Sequence, residues 1–574
     1  MKYPWRTSYD PWFPDHLKYP EHTMYEAVSE TAEKYESETA LYYFNSQMTY
    51  AELMHEIDKA SKALRADGFD PKDVVTICLP NIPQAVILFY AINRMGGICN
   101  MLHPLSPAAE IVETMEKTNS PALFIFDAQL KKHGNQLENK QIKRIVPCSV
   151  ATYMDKLTAS LFKLKFGRKI GKMPEGGPYL SYPVFLSKAD GQGYPPVYKR
   201  PARSPAVYLH SGGTTGEPKT IVLSDYNFNA LAVQGPGIIG TEDGPVNMRD
   251  HLHIAILPLF HGFGLGIGMH LMLSLGIKLV LVPKFTPEEM AKVIKKHKPT
   301  VLAGVPTLFE GMTRAKSLKR ADLSHLKHVF CGGDPLTPEL RKRVEAFLHE
   351  HGANLKIREG YGLTETVTVN AVSPFLKNKE ETVGLPLSDI HIKICDLETG
   401  EPLPLGEEGE ICVTGPTNML SYLNDPEATK HAMRIHDDGL TWVHTGDLGK
   451  MDEEGYVVFL QRLKRIIKVS GVPVFPSQIE KLVEKHENVK EVAAVSMPHP
   501  YKMEVVALFV VKEGDKDDAT LTAEIEQLIT DKLLVYAKPA LIKYVDKMPL
   551  TLVGKIDILA LEKSLKETPP KEDA

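Results

Sequence analysis

Residues 208–223 read Tyr208-Leu209-His210-Ser211-Gly212-Gly213-Thr214-Thr215-Gly216-Glu217-Pro218-Lys219-Thr220-Ile221-Val222-Leu223, a loop of glycines and hydroxyls between two apolar runs. Glycine lacks the side chain that keeps other backbones at a distance, so consecutive N–H groups can turn toward one anion. Ser211, Thr214 and Thr215 add hydroxyl donors, and Lys219 adds charge. This is phosphate-binding chemistry. It is not a Walker A loop, because Pro218 stands between Gly216 and Lys219 where that loop needs Gly-Lys-Ser/Thr to open a helix. An ordinary glycine-rich surface turn is the plain alternative, and the density of hydroxyls, glycines and charge argues against it.

At 574 residues the chain exceeds what one hydrophobic core usually supports, so two or more domains are expected. Hydrophobic residues at 43%, charged residues at 24% and a net charge of -5 describe a soluble globular protein with no broad attraction to nucleic acid. The six cysteines, Cys78, Cys99, Cys148, Cys331, Cys395 and Cys412, form no Cys-x-x-Cys pair and read as reduced core residues. Met1–Tyr25 lacks the continuous apolar segment of a secretory signal, and no stretch approaches the ~20 apolar residues of a membrane span. The expected location is cytoplasmic, the expected state a monomer or homodimer.

Around the loop, strand and helix alternate. Thr49 is placed to cap a helix carrying Leu53, Ile57, Ala60 and Leu64 at helical period. Val74–Leu79 reads as a buried strand and Gln84–Met95 as a helix ending at Gly96-Gly97; Ala122–Phe126, Ile254–Leu257, Leu279–Val282 and Val301–Ala303 read as further strands. The fold class is therefore α/β, with a large N-terminal domain of wound, mostly parallel sheets covered by helices. From about 385, and clearly from Gly406, short alternating strands with glycine turns predict a small β-barrel subdomain reaching to 463. Residues 464–574 read as a small α+β C-terminal domain with a charged, disordered tail from Lys566. The boundaries are thus 1–463, including the subdomain of about 385–463, and 464–574. Residues 157–172 interleave Leu157, Leu161, Phe162, Leu164, Phe166 and Ile170 with lysines and an arginine. Such a segment can rest on an anionic membrane. The favoured reading is instead a solvated insertion that packs its leucines on its own domain, because Gly167 and Gly171 weaken a continuous helix.

Four further stretches carry chemistry. Arg358-Glu359-Gly360-Tyr361-Gly362-Leu363-Thr364-Glu365-Thr366 follows the turn Gly332-Gly333-Asp334-Pro335. In it Tyr361 offers a flat face to a base, Thr364 a hydroxyl to phosphate, and Glu365 a hard oxygen to magnesium. In His444-Thr445-Gly446-Asp447, an aspartate in a glycine turn can accept both hydroxyls of a ribose, with Arg462 near enough in sequence to donate to the same nucleotide. Pro549-Leu550-Thr551-Leu552-Val553-Gly554-Lys555 delivers a lysine on a glycine turn, able to neutralise charge on a transferred phosphoryl centre. Leu257-Pro258-Leu259-Phe260-His261-Gly262-Phe263-Gly264 places His261 between a strand and a glycine-rich helix.

Taken in this order, the four nucleotide motifs resemble those of the adenylate-forming superfamily of acyl-CoA synthetases, luciferases and adenylation domains, and the resemblance spans almost the whole chain. It implies ATP, Mg2+ and coenzyme A as cofactors and co-substrates. It implies nucleotide contacts from Ser211, Gly212, Gly213, Thr214, Thr215, Gly216, Lys219, Gly332, Gly333, Tyr361, Gly362, Thr364, Asp447 and Arg462, a magnesium ligand in Glu365, and a catalytic role for Lys555. Thr214, Lys219, Glu365 and His261 complete the expected catalytic set, with His261 at the gate of the acyl pocket. Lys464 falls at the family's interdomain hinge, Lys468 resembles a lysine of the second half-reaction, and Ser470-Gly471 the wall of a thiol channel. The implied activity is ligation of an apolar carboxylic acid to coenzyme A through an acyl-AMP, a medium- or long-chain fatty acid first and an aryl or other bulky acid second. An acyl-AMP ligase loading a carrier protein, or a silent nucleotide-binding protein, are the other readings. Thr220, Gln461, Pro473 and Leu550 depart from the family's usual residues, Gln461 and Pro473 putting the local shape of the hinge in doubt.

Overall fold

In the computed structural model of the chain, Thr49 caps the helix Tyr50–Ala66 through a full capping box with Glu52. A second box, Thr23 with Glu26, opens Met24–Lys34, each satisfying backbone N–H groups that a helix end leaves bare. The structure describes residues 3–137, 141–167, 170, 172–174, 176–193, 195–211, 219–241, 244–470, 472–499, 501–551 and 555–565.

Two large sheets follow the predicted alternation. The first has seven strands in the order Ser421–Tyr422, Thr220–Ser224, Pro205–His210, Ile98–Met101, Val74–Cys78, Ala122–Phe126 and Arg144–Cys148. From Pro205–His210 onward its strands are parallel, while Thr220–Ser224 and Ser421–Tyr422 add an antiparallel edge. The second has nine strands and runs parallel from Arg358–Tyr361 through His328–Gly332, Val301–Gly304, Leu252–Ala255 and Lys278–Leu281 to Thr39–Tyr43. Every residue of the helix Pro83–Arg94 is buried, as a helix apolar on all sides must be.

The small-barrel expectation corresponds to a five-stranded antiparallel sheet of His391–Cys395, Gly409–Thr414, Thr441–Met451, Met433–Ile435 and Val457–Arg462. Leu385–Pro386 still pairs within the nine-stranded sheet, and Ser421–Tyr422 leaves to extend the seven-stranded one. Past Leu463–Arg465, Ile467–Val469, Val472–Val474, Val489–His499, Met503–Lys512 and Leu541–Tyr544 form a separate sheet packed by Pro476–Val483, Asp518–Lys532 and Ile558–Leu565 around its own core.

Residues 157–172 differ from the favoured reading. Lys156–Phe166 is a helix that stops at Gly167, and it packs Ala159 and Phe162 inward, but its leucines stay in solvent. Among the described residues no helix is long and apolar enough to cross a membrane. All six cysteines are buried and free of disulfides.

Candidate functional site

Leu252–Ala255, Val301–Gly304, His328–Gly332 and Arg358–Tyr361 are neighbouring parallel strands, so their carboxyl ends point the same way. His261, Gly333-Asp334 and Tyr361 to Glu365 all lie at or just beyond those ends, the place where open α/β sheets bind ligands. They line one cleft of about 2870 Å3, together with Lys219, Asp447, Arg462 and Lys555. Gly362 is required by close approach, since a Cβ there would stand 1.4 Å from the Thr368 carbonyl oxygen. Val367 at φ 50 and Thr368 at φ 75 are β-branched residues in the left-handed region. That strain of roughly 1–3 kcal/mol per residue is typical of backbone held for function.

On one wall, the buried Tyr361 hydroxyl donates to Asp447 Oδ2 at 2.8 Å. Asp447 and Arg462 are cross-strand partners, with Arg462 Nε 3.4 Å from Asp447 Oδ1. That Oδ1 is buried and makes no hydrogen bond, and the Arg462 guanidinium is its nearest charged neighbour. Burial pushes the Asp447 carboxyl up, and the Arg462 charge opposes it.

The 211–219 segment is closed at its base by two bonds: Ser211 N donates to Lys219 O at 3.0 Å, and Lys219 N to Ser211 Oγ at 3.0 Å. Gly212, Gly213, Thr214, Thr215 and Gly216 lie outside the described residues. The Lys219 ammonium sits 4.6 Å from the centre of the Tyr422 ring, and the Tyr422 hydroxyl donates to Glu365 Oε1 at 2.9 Å. Thr220, which departs from the family's glycine, places its hydroxyl 3.2 Å from His210 Nδ1.

Lys555 enters from the C-terminal sheet's side. Its turn is closed by Thr551 N donating to Lys555 O at 2.7 Å, and its Nζ donates to Gly333 O at 2.5 Å and pairs with Asp334 at 3.2 Å. Burial raises the Asp334 carboxyl, with Lys555 the strongest opposing charge. His261 is crowded by protein, which lowers its pKa to about 4, and the Lys555 charge adds to the effect. It is therefore a neutral ring at neutral pH.

The same cleft is lined by the apolar Gly235, Ile238, Phe263, Ile267, Leu271 and Met272, of which Phe263, Ile267 and Leu271 lie on a π-helix, Phe263–Leu271. Such wide coils are rare and gather at functional sites; here Gly264 makes the entry possible, since a Cβ would meet the Pro258 carbonyl oxygen at 2.1 Å.

Lys464 sits in the turn Leu463–Arg465 and lines the cleft, while Lys468 and Ser470 lie on the hairpin beyond it and are not among the lining residues. Lys468 N donates to Glu504 Oε2 at 2.8 Å, and Ser470 is left-handed at φ 52; Gly471 lies outside the described residues. Gln461 is buried and accepts from Ser477 Oγ at 3.0 Å, a bond across the Lys464 turn.

Sequence reasoning passed over three contributors. Tyr422 bridges Lys219 to Glu365, and Asp334 receives Lys555. Glu410 accepts from Gly446 N at 2.9 Å and lies 2.7 Å from His444 Nδ1, so it braces the residues beside Asp447, which lie inside the strand Thr441–Met451 and not in the glycine turn expected from the sequence. His444 Nε2 in turn faces His436 Nε2 at 2.9 Å. An acid just before Ile411 on a neighbouring strand gives no local signal of that task.

Residues 28–423 match the AMP-binding enzyme family, and residues 478–555 match the AMP-binding enzyme C-terminal domain. The chain is 30% identical over 561 residues to a long-chain-fatty-acid–CoA ligase of Bacillus subtilis, covering 96% of each chain. It is 30% identical over 526 residues to a probable 4-coumarate–CoA ligase of Dictyostelium discoideum, covering 89% of this chain and 88% of that one. ATP-bound MatB from Rhodopseudomonas palustris has the same fold, with a TM-score of 0.79 at 23% identity, covering 96% of this chain and 99% of that one.

Proposed function

The chain belongs to the AMP-binding enzyme family, and from that premise we propose that it is an ATP-dependent acid–CoA ligase. It activates a medium- or long-chain fatty acid as acyl-AMP with release of pyrophosphate, then forms the acyl-CoA thioester with release of AMP. The observation that carries this reading is the convergence of Lys555 on Gly333 and Asp334 in the cleft that Asp447, His261 and the apolar Phe263, Ile267 and Leu271 also line.

The first step needs no protein nucleophile, because the acid's carboxylate attacks the α-phosphorus of ATP directly. Catalysis reduces to positioning and charge stabilisation. Asp447 takes a ribose hydroxyl, the Tyr361 ring offers its face to adenine, and the 211–219 loop with Thr364 holds phosphate oxygens. Lys555 leaves Asp334 for the negative charge that builds on the transferred centre. Glu365 fits a hard cation: it is a carboxylate on the cleft wall whose Oε1 is already fixed by Tyr422. It would hold magnesium, which when bound neutralises phosphate charge. His261, neutral, serves as a wall and not as an acid or base.

For the second step residues 464–574 rotate about Lys464, carrying Lys555 away and bringing Lys468, Ser470 and Gly471 toward the acyl-AMP and coenzyme A. The position of Lys468 and Ser470 outside the cleft, with Lys555 inside it, fits the arrangement for adenylation. Fatty-acid specificity is supported by the lining from Phe263 to Met272, which runs along two turns of helix without a charged side chain, and by the Bacillus relative. Pyrophosphate release and thioester formation with graded fatty acids and with aryl acids test this. Turnover rising with chain length is the expected result; turnover confined to aryl acids rejects the substrate, and pyrophosphate release without thioester rejects coenzyme A as acceptor.

A further inference from the structure

The helix Lys156–Phe166 contains no buried residue. Leu157 is 72% exposed, Leu161 59% and Leu164 84%. Single exposed leucines are ordinary, but at roughly 100° per residue these three share an arc of roughly 60° on one face. The opposite face is anchored. Ala159 and Phe162 pack against the main core, Asn45 Nδ2 donates to Thr158 Oγ1 at 3.0 Å, and Asp155 caps the first turn through the N–H groups of Leu157 and Thr158. The helix is thus fixed in place with its leucine ridge outward.

Charge decides what the ridge meets. On the same helical wheel the exposed Lys165 lies on one side of the ridge and the exposed Lys156 and Lys163 on the other. Residues 156–174 hold six lysines and arginines and no carboxylate, in a chain whose net charge is -5. Two copies of this helix face to face would bring like charges together, and a ridge of this size offers only a few hundred Å2, below the roughly 800 Å2 per partner of a stable protein interface. An anionic bilayer satisfies both features. Its headgroup boundary admits an apolar face to a depth of roughly 5–10 Å, and its phosphates pair with the flanking cations.

We propose that Lys156–Phe166 docks the protein on an anionic lipid surface, the three leucines entering the headgroup boundary and the lysines binding phosphates. The docking does not depend on which acid is ligated, and its test reads binding alone. The full chain is sedimented with vesicles of phosphatidylcholine, and with the same vesicles containing phosphatidylglycerol, at low and high salt. Binding to the anionic vesicles that weakens with salt is expected, each lysine contributing about fivefold. Leu157→Gln, Leu161→Gln and Leu164→Gln together should lower partitioning at least about tenfold, as should Lys163→Glu with Lys165→Glu, with melting temperature unchanged because all five side chains are exposed. The proposal is overturned if the parent does not bind, if it binds neutral vesicles equally, or if the glutamine variant still binds. It is overturned as well if the parent self-associates without vesicles and the glutamine variant does not, which would make a second copy the occupant.

Discussion

The two ends of the cleft are built on opposite principles. The end proposed for the nucleotide takes its groups from short runs, Tyr361 to Glu365 at and past a strand end, Gly446-Asp447 inside the strand Thr441–Met451, and Arg462 at the end of the strand paired with it. The channel end takes Gly235 and Ile238 from Asp225–Ile238, Ile267 and Leu271 from the π-helix, and Phe330 and Val372 from two strands. A polar site must hold each charge in a fixed geometry and spends special backbone on it. An apolar channel needs only shape, which any set of core-like residues can supply. Substitutions at the first end should therefore act on rate whatever the acid, and those at the second on acid preference at nearly constant nucleotide chemistry.

The largest effect is expected at Lys555. Lys555→Ala removes the cation that meets Gly333 and Asp334, and acyl-AMP formation should fall on the order of 10^3-fold. Supplied acyl-AMP plus coenzyme A should still give thioester at close to the parent rate. Equal loss of the two half-reactions would mean that the lysine serves both, or only structure.

Lys464→Pro comes next. Proline fixes φ near -65° and removes the N–H, so the Leu463–Arg465 turn loses the freedom a pivot needs. Single-turnover pyrophosphate release should stay near normal while thioester formation slows roughly 100-fold and acyl-AMP accumulates, as a trapped pivot gating one step requires. Lys464→Ala, which leaves the backbone free, should cost far less. If alanine and proline behave alike, the turn is not the pivot.

What the sequence revealed follows the same division. The polar motifs of the cleft were legible because glycine, hydroxyl and charge at fixed offsets leave few other uses for a loop; the order of the strands that carry them was not. Tyr422 was not, because Ser421–Tyr422 pairs with Thr220–Ser224 across a gap in sequence of about two hundred residues, and partner choice of that kind leaves no local pattern. Glu410 was hidden in the same way, by a cross-strand task. The π-helix was not legible: Gly264, Gly266 and Gly268 read only as part of a glycine-rich helix, and the close approach of the Pro258 carbonyl that leaves no room for a Cβ at Gly264 is set by the fold. The leucines of 157–172 were expected to pack on their own domain because Gly167 and Gly171 weaken a continuous helix; the helix forms up to Gly167 all the same, and only the packing of Ala159 and Phe162 shows which face was left over.

At the channel end, Gly235→Leu sharpens the comparison. A Cβ at Gly235 would already lie 2.9 Å from Leu271 Cδ1, so a leucine must push Leu271 or itself into the channel. KM for the longest acids that the parent accepts should rise about tenfold, as discrimination by one or two methylenes in an apolar pocket allows, with KM for ATP unchanged. Overpacking should cost roughly 1–3 kcal/mol of stability, so a melting curve accompanies the kinetics. A uniform fall with every acid and with ATP would mean that the two ends are not separable.

The last effect falls on stability and leaves turnover at neutral pH nearly untouched. His270, on the π-helix, is fully buried between Asn229 Oδ1 at 2.9 Å from its Nε2 and the Tyr90 hydroxyl at 3.1 Å from its Nδ1. Burial lowers its pKa to about 3, while the unfolded chain binds a proton near the ordinary value of 6.5. Between those values the unfolded state holds the extra proton, so its stabilising neutrality is complete above pH 6.5 and is lost as pH falls toward 3. This one group should steepen the loss by up to about 1.4 kcal/mol per pH unit. His270→Gln keeps an amide that can pair with Asn229 and cannot titrate. Its urea midpoint should be lower than the parent's at pH 7, where the packing is imperfect, and should fall less steeply from pH 6.5 to 4.5. Parallel curves for parent and variant would show that the proton taken up on acid unfolding goes elsewhere, and that the channel wall is no more acid-sensitive than the nucleotide end.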